Sequence, residues 1–194
     1  MSQPAAIPWN VPNALTLSRL PLTVVLCALI EFRLWPAALA TFAVAALTDW
    51  LDGWWARKFN QGSSFGRTFD PLTDKVLLGA AFIFLIPVPE AGMVPWIVAT
   101  VIGRELLITG VRGYVESLGH KFGADWFGKL KTVLQCLALS ILLAARTMDG
   151  RDWASDLMRP VVVLQYIALY AMVAATVLSG VQYCFKAAVL LKRG

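Results

Sequence analysis

Long apolar stretches alternate with short polar segments along nearly the whole chain of 194 residues. A helix rises about 1.5 Å per residue, so about 20 apolar residues cross a hydrocarbon layer of roughly 30 Å. Six stretches meet this requirement, at about residues 14–30, 34–55, 70–88, 94–115, 129–146 and 160–185. The pattern predicts an all-α, polytopic membrane protein with six transmembrane helices, in which residues 1–194 form a single domain.

Composition supports this interpretation. Hydrophobic residues make up 58% of the chain and charged residues 15%, whereas a soluble domain carries about a quarter charged residues. The net charge of +5 is typical of basic cytoplasmic loops that face anionic lipid. Membrane lipids are therefore the expected partners, and nucleic acid is not.

Lysine and arginine set the expected orientation, because they are enriched in loops on the cytoplasmic side of a membrane. Ten of them fall on one side of the predicted membrane and four on the other. The basic side contains the second-to-third and fourth-to-fifth connections and the C-terminal tail. Both termini are therefore expected in the cytoplasm, together with the aspartate-rich segment 49–74.

Four aspartates occur where the second predicted span ends and the third begins. Asp49 and Asp52 are three residues apart, and Asp70 and Asp74 four apart, so each pair shares a helix face. The glycine- and serine-containing loop between them can return the chain so that the pairs face each other. Carboxylates held close together repel unless cations join them, and oxygen ligands suit hard ions. The pattern predicts two Mg²⁺ or Mn²⁺ ions per subunit; the alternative is ordinary helix-end aspartates at the membrane interface.

Two such cations about 4 Å apart are typical of phosphoryl transfer, because they can clamp a diphosphate. Gly53 and Ala56 leave room on the aspartate face for a flat group to approach the backbone. Arg57 could then bind phosphate oxygens in a forked, charge-assisted contact. We therefore interpret this segment as a diphosphate site.

From Asp49 to Asp74 the chain matches D-x-x-D-G-x-x-A-R-(x)8-G-x-x-x-D-x-x-x-D, and it resembles the CDP-alcohol phosphotransferase family at every fixed position of this signature. The resemblance implies a membrane enzyme, usually a homodimer, that transfers a substituted phosphoryl group from a CDP-alcohol to a hydroxyl group and releases CMP. The metal ligands that it implies are Asp49, Asp52, Asp70 and Asp74, with Asp74 also the general base. The residues that it implies around CDP are Gly53, Ala56, Arg57 and Gly66.

Flanking segments resemble one branch of this family, the bacterial phosphatidylglycerophosphate synthases. In this branch N-x-x-T-x-x-R runs into the first helix. The corresponding residues here are Asn13, Thr16 and Arg19, which are added to the expected substrate-binding residues. Segments 103–119 and 125–135 are similar to the same branch. The resemblance implies CDP-diacylglycerol and sn-glycerol 3-phosphate as substrates, and phosphatidylglycerol phosphate and CMP as products. It also implies the bacterial cytoplasmic (inner) membrane, with the active site facing the cytoplasm.

The phosphate of such an acceptor needs a cationic pocket, for which the candidates are Arg104, Arg112, Lys129 and Lys131. The two arginines are eight residues apart and lie roughly on one helix face, and an arginine within a span seldom lacks a partner or a role. Arg104 could instead pair with Glu105 or a helix-end carbonyl. The lysines could contact anionic lipid, and Arg19 could extend to the headgroups.

Other functions stay open on the sequence alone. The acceptor could be phosphatidylglycerol, inositol phosphate or serine, with the same chemistry. The aspartates could form the ion site of a divalent-cation transporter, although such sites usually lie near the middle of the membrane. A non-catalytic lipid-binding scaffold is a further alternative, but the complete signature gives no indication of lost activity.

Overall fold

The structure, a computed structural model, describes residues 11–59, 64–118, 126–150 and 155–191. Within these ranges it contains six α-helices and no strand, which confirms the prediction of an all-α fold. The helices are α1 (Val11–Glu31), α2 (Trp35–Phe59), α3 (Ser64–Leu85), α4 (Pro95–Ser117), α5 (Trp126–Met148) and α6 (Ser155–Leu191). A short 3₁₀ helix, Pro89–Ala91, precedes α4. The helices belong to two compact units, which divide between Phe84 and Leu85.

Three stretches of the described chain are long and apolar enough to cross a membrane: Asn13–Glu31, Trp126–Met148 and Asp156–Leu190. A shorter apolar segment, Trp35–Asp49, lies in α2. Each of α2, α3 and α4 contains four charged residues, and these interrupt the long apolar window typical of a span. The helices of the described chain follow the predicted order, and the assignment of all six as spans stays a prediction.

Several helices extend beyond the predicted spans. α2 continues to Phe59 and α3 begins at Ser64, so most of the segment expected as a loop is helical. α6 has 37 residues, a length of about 55 Å at the usual rise, well above the roughly 30 Å of a hydrocarbon core. Hydropathy predicts only the apolar part of a helix, the part that can lie in lipid. Helical backbone hydrogen bonding continues into the polar sequence on either side, so the helices are longer than the predicted spans.

In the first unit, α1 packs against α2 across a tight turn. Arg33 has φ 55°, in the left-handed region. Its N–H donates to the carbonyl of Ile30 at 3.0 Å, and the N–H of Leu34 donates to the carbonyl of Leu29 at 2.8 Å. This pair of bonds is a Schellman motif, which ends α1 and reverses the chain direction.

The helices of the first unit carry polar groups next to the apolar residues that they bury. α1 buries polar side chains in its first half and apolar ones in its second: Asn13, Thr16, Arg19 and Thr23, then Leu26, Cys27 and Ile30. Asp49 follows the buried Ala45 by one helical turn on α2, and Asp74 precedes the buried Leu78 by one turn on α3. The carboxylates therefore continue the helix faces that pack inward.

In the second unit, α4 and α5 both pack against α6. Gln165 of α6 is buried, and its amide donates to the carbonyl oxygens of Glu90 at 3.0 Å and Ala91 at 2.9 Å. Gly92 follows with φ 65°, and a Cβ there would lie 2.8 Å from the ring of Tyr166. These contacts hold the connection before α4 against α6.

Candidate functional site

The first half of α1 presents three predicted substrate-binding residues on one buried face. Asn13, Thr16 and Arg19 are each only 1% exposed and follow one another at intervals of three residues, which places them on adjoining turns. A fully buried guanidinium requires partners for its charge, because leaving it uncompensated in an apolar interior is costly. Those partners identify the centre of the site.

Arg19 joins two of the predicted aspartates. Its Nη1 lies 2.9 Å from Oδ1 of Asp49 and also bonds Oδ1 of Asp74. Because both oxygens contact one nitrogen at hydrogen-bond distance, they lie within about 6 Å of each other. Carboxylates from α2 and α3, 25 positions apart in the chain, thus converge on α1.

The remaining signature residues lie on the same two helices. Asp52, Gly53, Ala56 and Arg57 fall within α2, and Gly66 and Asp70 fall within α3. Their side chains lie outside the part of the chain that the structure describes, so their roles stay predictions. The prediction that Asp52 shares a helix face with Asp49, and Asp70 with Asp74, is likewise not tested.

The described atoms fit a hard divalent cation. Asp49 and Asp74 offer only oxygen donors, and their side chains are 49% and 36% exposed, so a ligand can reach them. Both carboxylates contact the guanidinium of Arg19, so positive charge is favourable between them. Among the described side chains, no group of three or more histidines, cysteines, aspartates or glutamates is close enough to hold a metal ion. Asp52 and Asp70 lie outside that set.

A second polar cluster is buried in the other unit. The Nη2 of Arg104 donates to Oγ of Ser179 at 3.0 Å, and its Nη1 lies 3.4 Å from Oε1 of Glu105. Lys131 of α5 bonds the same glutamate oxygen through its Nζ, and its side chain is only 7% exposed. Arg104, Glu105 and Lys131 together carry one net positive charge in a largely buried setting, which favours an anionic ligand.

Of the four predicted acceptor residues, the structure brings together Arg104 and Lys131. Arg112 bonds Glu116 instead, with Nε at 2.8 Å from Oε1, and its side chain is 51% exposed. Lys129 is also exposed. In the described part of the chain, neither contacts the cluster around Arg104.

Sequence reasoning missed the contribution of α6 to this cluster. Ser179, Gly180 and Tyr183 all lie against Arg104, yet they belong to a stretch whose composition indicates only a membrane span. The available signal was weak: a serine, a glycine and a tyrosine within one and a half helical turns of an otherwise apolar run.

Comparison with known proteins adds an independent line of evidence. The CDP-alcohol phosphatidyltransferase family profile matches residues 9–179, a range that includes Arg19, Asp49 and Asp74 of the first cluster and Arg104, Glu105 and Lys131 of the second. CDP-diacylglycerol–glycerol-3-phosphate 3-phosphatidyltransferase 2 of Arabidopsis thaliana is 39% identical over 152 residues, 71% of this chain. The match spans less than two thirds of that relative, 65% of its length.

Bacterial proteins with the name CDP-diacylglycerol–glycerol-3-phosphate 3-phosphatidyltransferase are also similar. The one from Salmonella choleraesuis is 38% identical over 141 residues, and the one from Bacillus subtilis 35% identical over 150 residues. Each match covers 70% of this chain and 77% of the relative. With the family profile spanning most of its length and the signature complete from Asp49 to Asp74, this chain belongs to the CDP-alcohol phosphatidyltransferase family.

Proposed function

We propose that this protein transfers the phosphatidyl group of CDP-diacylglycerol to sn-glycerol 3-phosphate, giving phosphatidylglycerol phosphate and CMP. The observation that carries the proposal is the convergence of Asp49 and Asp74 on Arg19. It joins two fixed positions of the family signature to a residue of the N-terminal N-x-x-T-x-x-R run. The names of the plant and bacterial relatives, which specify this donor and this acceptor, support the choice of substrates.

The family generally depends on divalent metal ions, and the oxygen-only donors fit Mg²⁺ or Mn²⁺. Two ions would be held by the four signature aspartates, Asp49, Asp52, Asp70 and Asp74. When bound, they would neutralise the diphosphate and stabilise the charge that develops on departing CMP. Gly53, Ala56, Arg57 and Gly66 would line the CDP site, with Arg57 donating to phosphate oxygens.

Asp74 would act as the general base. The hydroxyl of glycerol 3-phosphate is a poor nucleophile near neutral pH, and a carboxylate that accepts its proton lowers the barrier to attack on phosphorus. The partly exposed Asp74 side chain is accessible to an acceptor. Arg19 contacts this carboxylate and Asp49 together, and we propose that it orients both and helps to bind the diphosphate, with Asn13 and Thr16 on the same face.

Arg19→Lys is expected to lower kcat/KM for CDP-diacylglycerol about tenfold. Lysine keeps the charge but has a single nitrogen, whereas the planar guanidinium of arginine has three nitrogens that can donate to two carboxylates and a phosphate at once. Initial rates of CMP release at varied CDP-diacylglycerol measure the effect. Arg159→Lys, at an exposed position of α6, is the matched control. An Arg19→Lys enzyme as efficient as wild type would show that the fork is not needed.

The phosphate of the acceptor would be bound by the cationic set Arg104, Arg112, Lys129 and Lys131. The buried cluster supports Arg104 as the main phosphate-binding residue. Lys131 is already bonded to Glu105, so the remaining positive charge of the cluster belongs to Arg104. Arg112 and Lys129 would contribute from exposed positions, as attracting charges for an anionic substrate.

In the membrane, we propose that all six helices span the bilayer, as a single domain with both termini in the cytoplasm. The location would be the bacterial cytoplasmic (inner) membrane, with the active site facing the cytoplasm, and the assembly a homodimer. The arrangement is supported by the apolar length of α1, α5 and α6 and by the excess of basic residues on one side. Lipid substrate and soluble acceptor could then meet at the surface where both are present.

An activity assay tests the proposal: purified protein is incubated with CDP-diacylglycerol, Mg²⁺ or Mn²⁺, and one of a panel of acceptors. The panel contains glycerol 3-phosphate, phosphatidylglycerol, inositol phosphate and serine, and the readouts are CMP release and the identity of the lipid product. The expected result is phosphatidylglycerol phosphate from glycerol 3-phosphate. Turnover with only one of the other acceptors would reassign the acceptor substrate. In a separate assay, metal flux into liposomes without nucleotide would favour the alternative function, a divalent-cation transporter.

A further inference from the structure

We propose that Ser179 and Gly180 of α6 are positioning residues: they fix the orientation of the Arg104 guanidinium and thereby set the affinity for a phosphate-bearing acceptor. The inference rests on the proposed function, in which Arg104 binds the phosphate of that acceptor. It gives α6 a part in substrate selection that the apolar sequence of this helix does not indicate.

The hydroxyl of Ser179 is a fixed hydrogen-bond acceptor for Arg104. Ser179 is fully buried, and its Oγ donates to the carbonyl oxygen of Thr176 at 3.0 Å. With its only proton directed at the backbone, the hydroxyl presents a lone pair to Nη2 of Arg104, which donates to it at 3.0 Å. Because a guanidinium can only donate and the serine proton is used elsewhere, the bond holds one arm of the guanidinium.

Gly180 provides the space in which the arginine stem lies. A Cβ at this position would be 3.2 Å from Cγ of Arg104 and 3.9 Å from its Nε. The first distance is shorter than an ordinary carbon–carbon contact, so a Cβ at this position requires the stem to shift by a few tenths of an ångström. The Arg104 Cζ also lies 5.5 Å from the centroid of the Tyr183 ring. Ser179, Gly180 and Tyr183 share one face of α6 and enclose the side chain.

The described residues do not satisfy every donor of the held guanidinium. Its approach to Glu105 is long, at 3.4 Å, and the same carboxylate oxygen is bonded by Lys131. Among the described residues, the buried Nε of Arg104 has no hydrogen-bond partner. A positive, pre-oriented guanidinium with an unsatisfied N–H suits the oxygens of a phosphate group, and a displaced guanidinium would lose that match.

The test compares Gly180→Ala with Gly110→Ala, the same substitution at an exposed position of α4 where a Cβ would have nothing within 4 Å. Gly180→Ala is expected to raise KM for glycerol 3-phosphate about tenfold, because small displacements of positioned groups have large kinetic effects. Its KM for CDP-diacylglycerol should stay within about twofold of wild type, which also shows that the protein is folded. Gly110→Ala should leave both constants unchanged.

A second, milder variant and a double variant complete the test. Ser179→Ala removes one hydrogen bond without adding an atom, and it is expected to raise the same KM about fivefold. If Gly180 acts through Arg104, adding Gly180→Ala to Arg104→Ala gives no further increase, because the two substitutions affect one contact.

The outcomes separate this inference from the proposed function. An active wild type in which Gly180→Ala matches Gly110→Ala, or raises both KM values equally, would overturn the positioning role alone. An additive double variant would do the same. If the wild type releases no CMP from CDP-diacylglycerol and glycerol 3-phosphate, the proposed function is wrong and this inference is wrong with it.

Discussion

Asp74→Asn is expected to lower kcat by about a thousandfold while CDP-diacylglycerol still binds. Asparagine keeps the shape of aspartate, but its amide cannot take the proton of an acceptor hydroxyl. Because the Asp74 side chain is 36% exposed, the change affects few packing contacts. Turnover is measured as CMP release at saturating substrates, and lipid binding is measured separately by equilibrium binding in mixed micelles.

Comparison with Asp49→Asn distinguishes the loss of the general base from the loss of a metal ligand. Both residues contact Arg19, but only Asp74 is assigned the proton transfer. Raising the Mn²⁺ concentration should restore much of the activity of Asp49→Asn and little of that of Asp74→Asn. Asp156→Asn, in the exposed first turn of α6, serves as the control and should turn over normally. Near-normal turnover by Asp74→Asn would remove its role as base.

Arg104→Ala is expected to raise KM for glycerol 3-phosphate about thirtyfold and to change KM for CDP-diacylglycerol by less than about twofold. The guanidinium would contribute charge-assisted hydrogen bonds to the acceptor phosphate and none to the nucleotide lipid. Initial rates at varied acceptor and saturating lipid, and then the reverse, give the two constants.

Arg159→Ala is the matched control, since this arginine is exposed near the beginning of α6. It should leave both KM values at the wild-type level. Equal increases of the two constants in Arg104→Ala would show that Arg104 supports the fold of the second unit in general. In that case the acceptor phosphate would have to be bound elsewhere.

The convergence of Asp49 and Asp74 follows from local rules that are visible in the sequence. Helix periodicity predicts that each aspartate pair shares one face, and the few residues between α2 and α3 predict that the chain returns so that the carboxylates can approach each other. The N-x-x-T-x-x-R run has the spacing of a helix face, and α1 does bury all three residues. That Arg19 is the shared partner was not predictable, because the pairing depends on how α1 packs against residues 30 and 55 positions away.

The acceptor region shows where sequence reasoning ends. The sequence favours Arg104, an arginine within a predicted span, over the two lysines, but it does not distinguish Lys131 from Lys129, and only packing separates those two. Lys131 faces inward, where a buried ammonium requires a carboxylate, and Glu105 provides it. Ser179 and Gly180 are single small residues in an apolar helix, and their importance depends on the arginine that α4 presents to them.

Mn²⁺ binding to the purified protein tests most directly whether signature carboxylates form a centre for two metal ions. Equilibrium dialysis, with free Mn²⁺ measured by electron paramagnetic resonance, gives the number of ions per subunit and their affinity. The prediction is two ions per wild-type subunit, with affinity reduced at least tenfold in Asp49→Asn and Asp74→Asn and unchanged in Asp156→Asn. Full activity in a protein that binds no divalent ion, or unaltered Mn²⁺ binding in both signature variants, would contradict it.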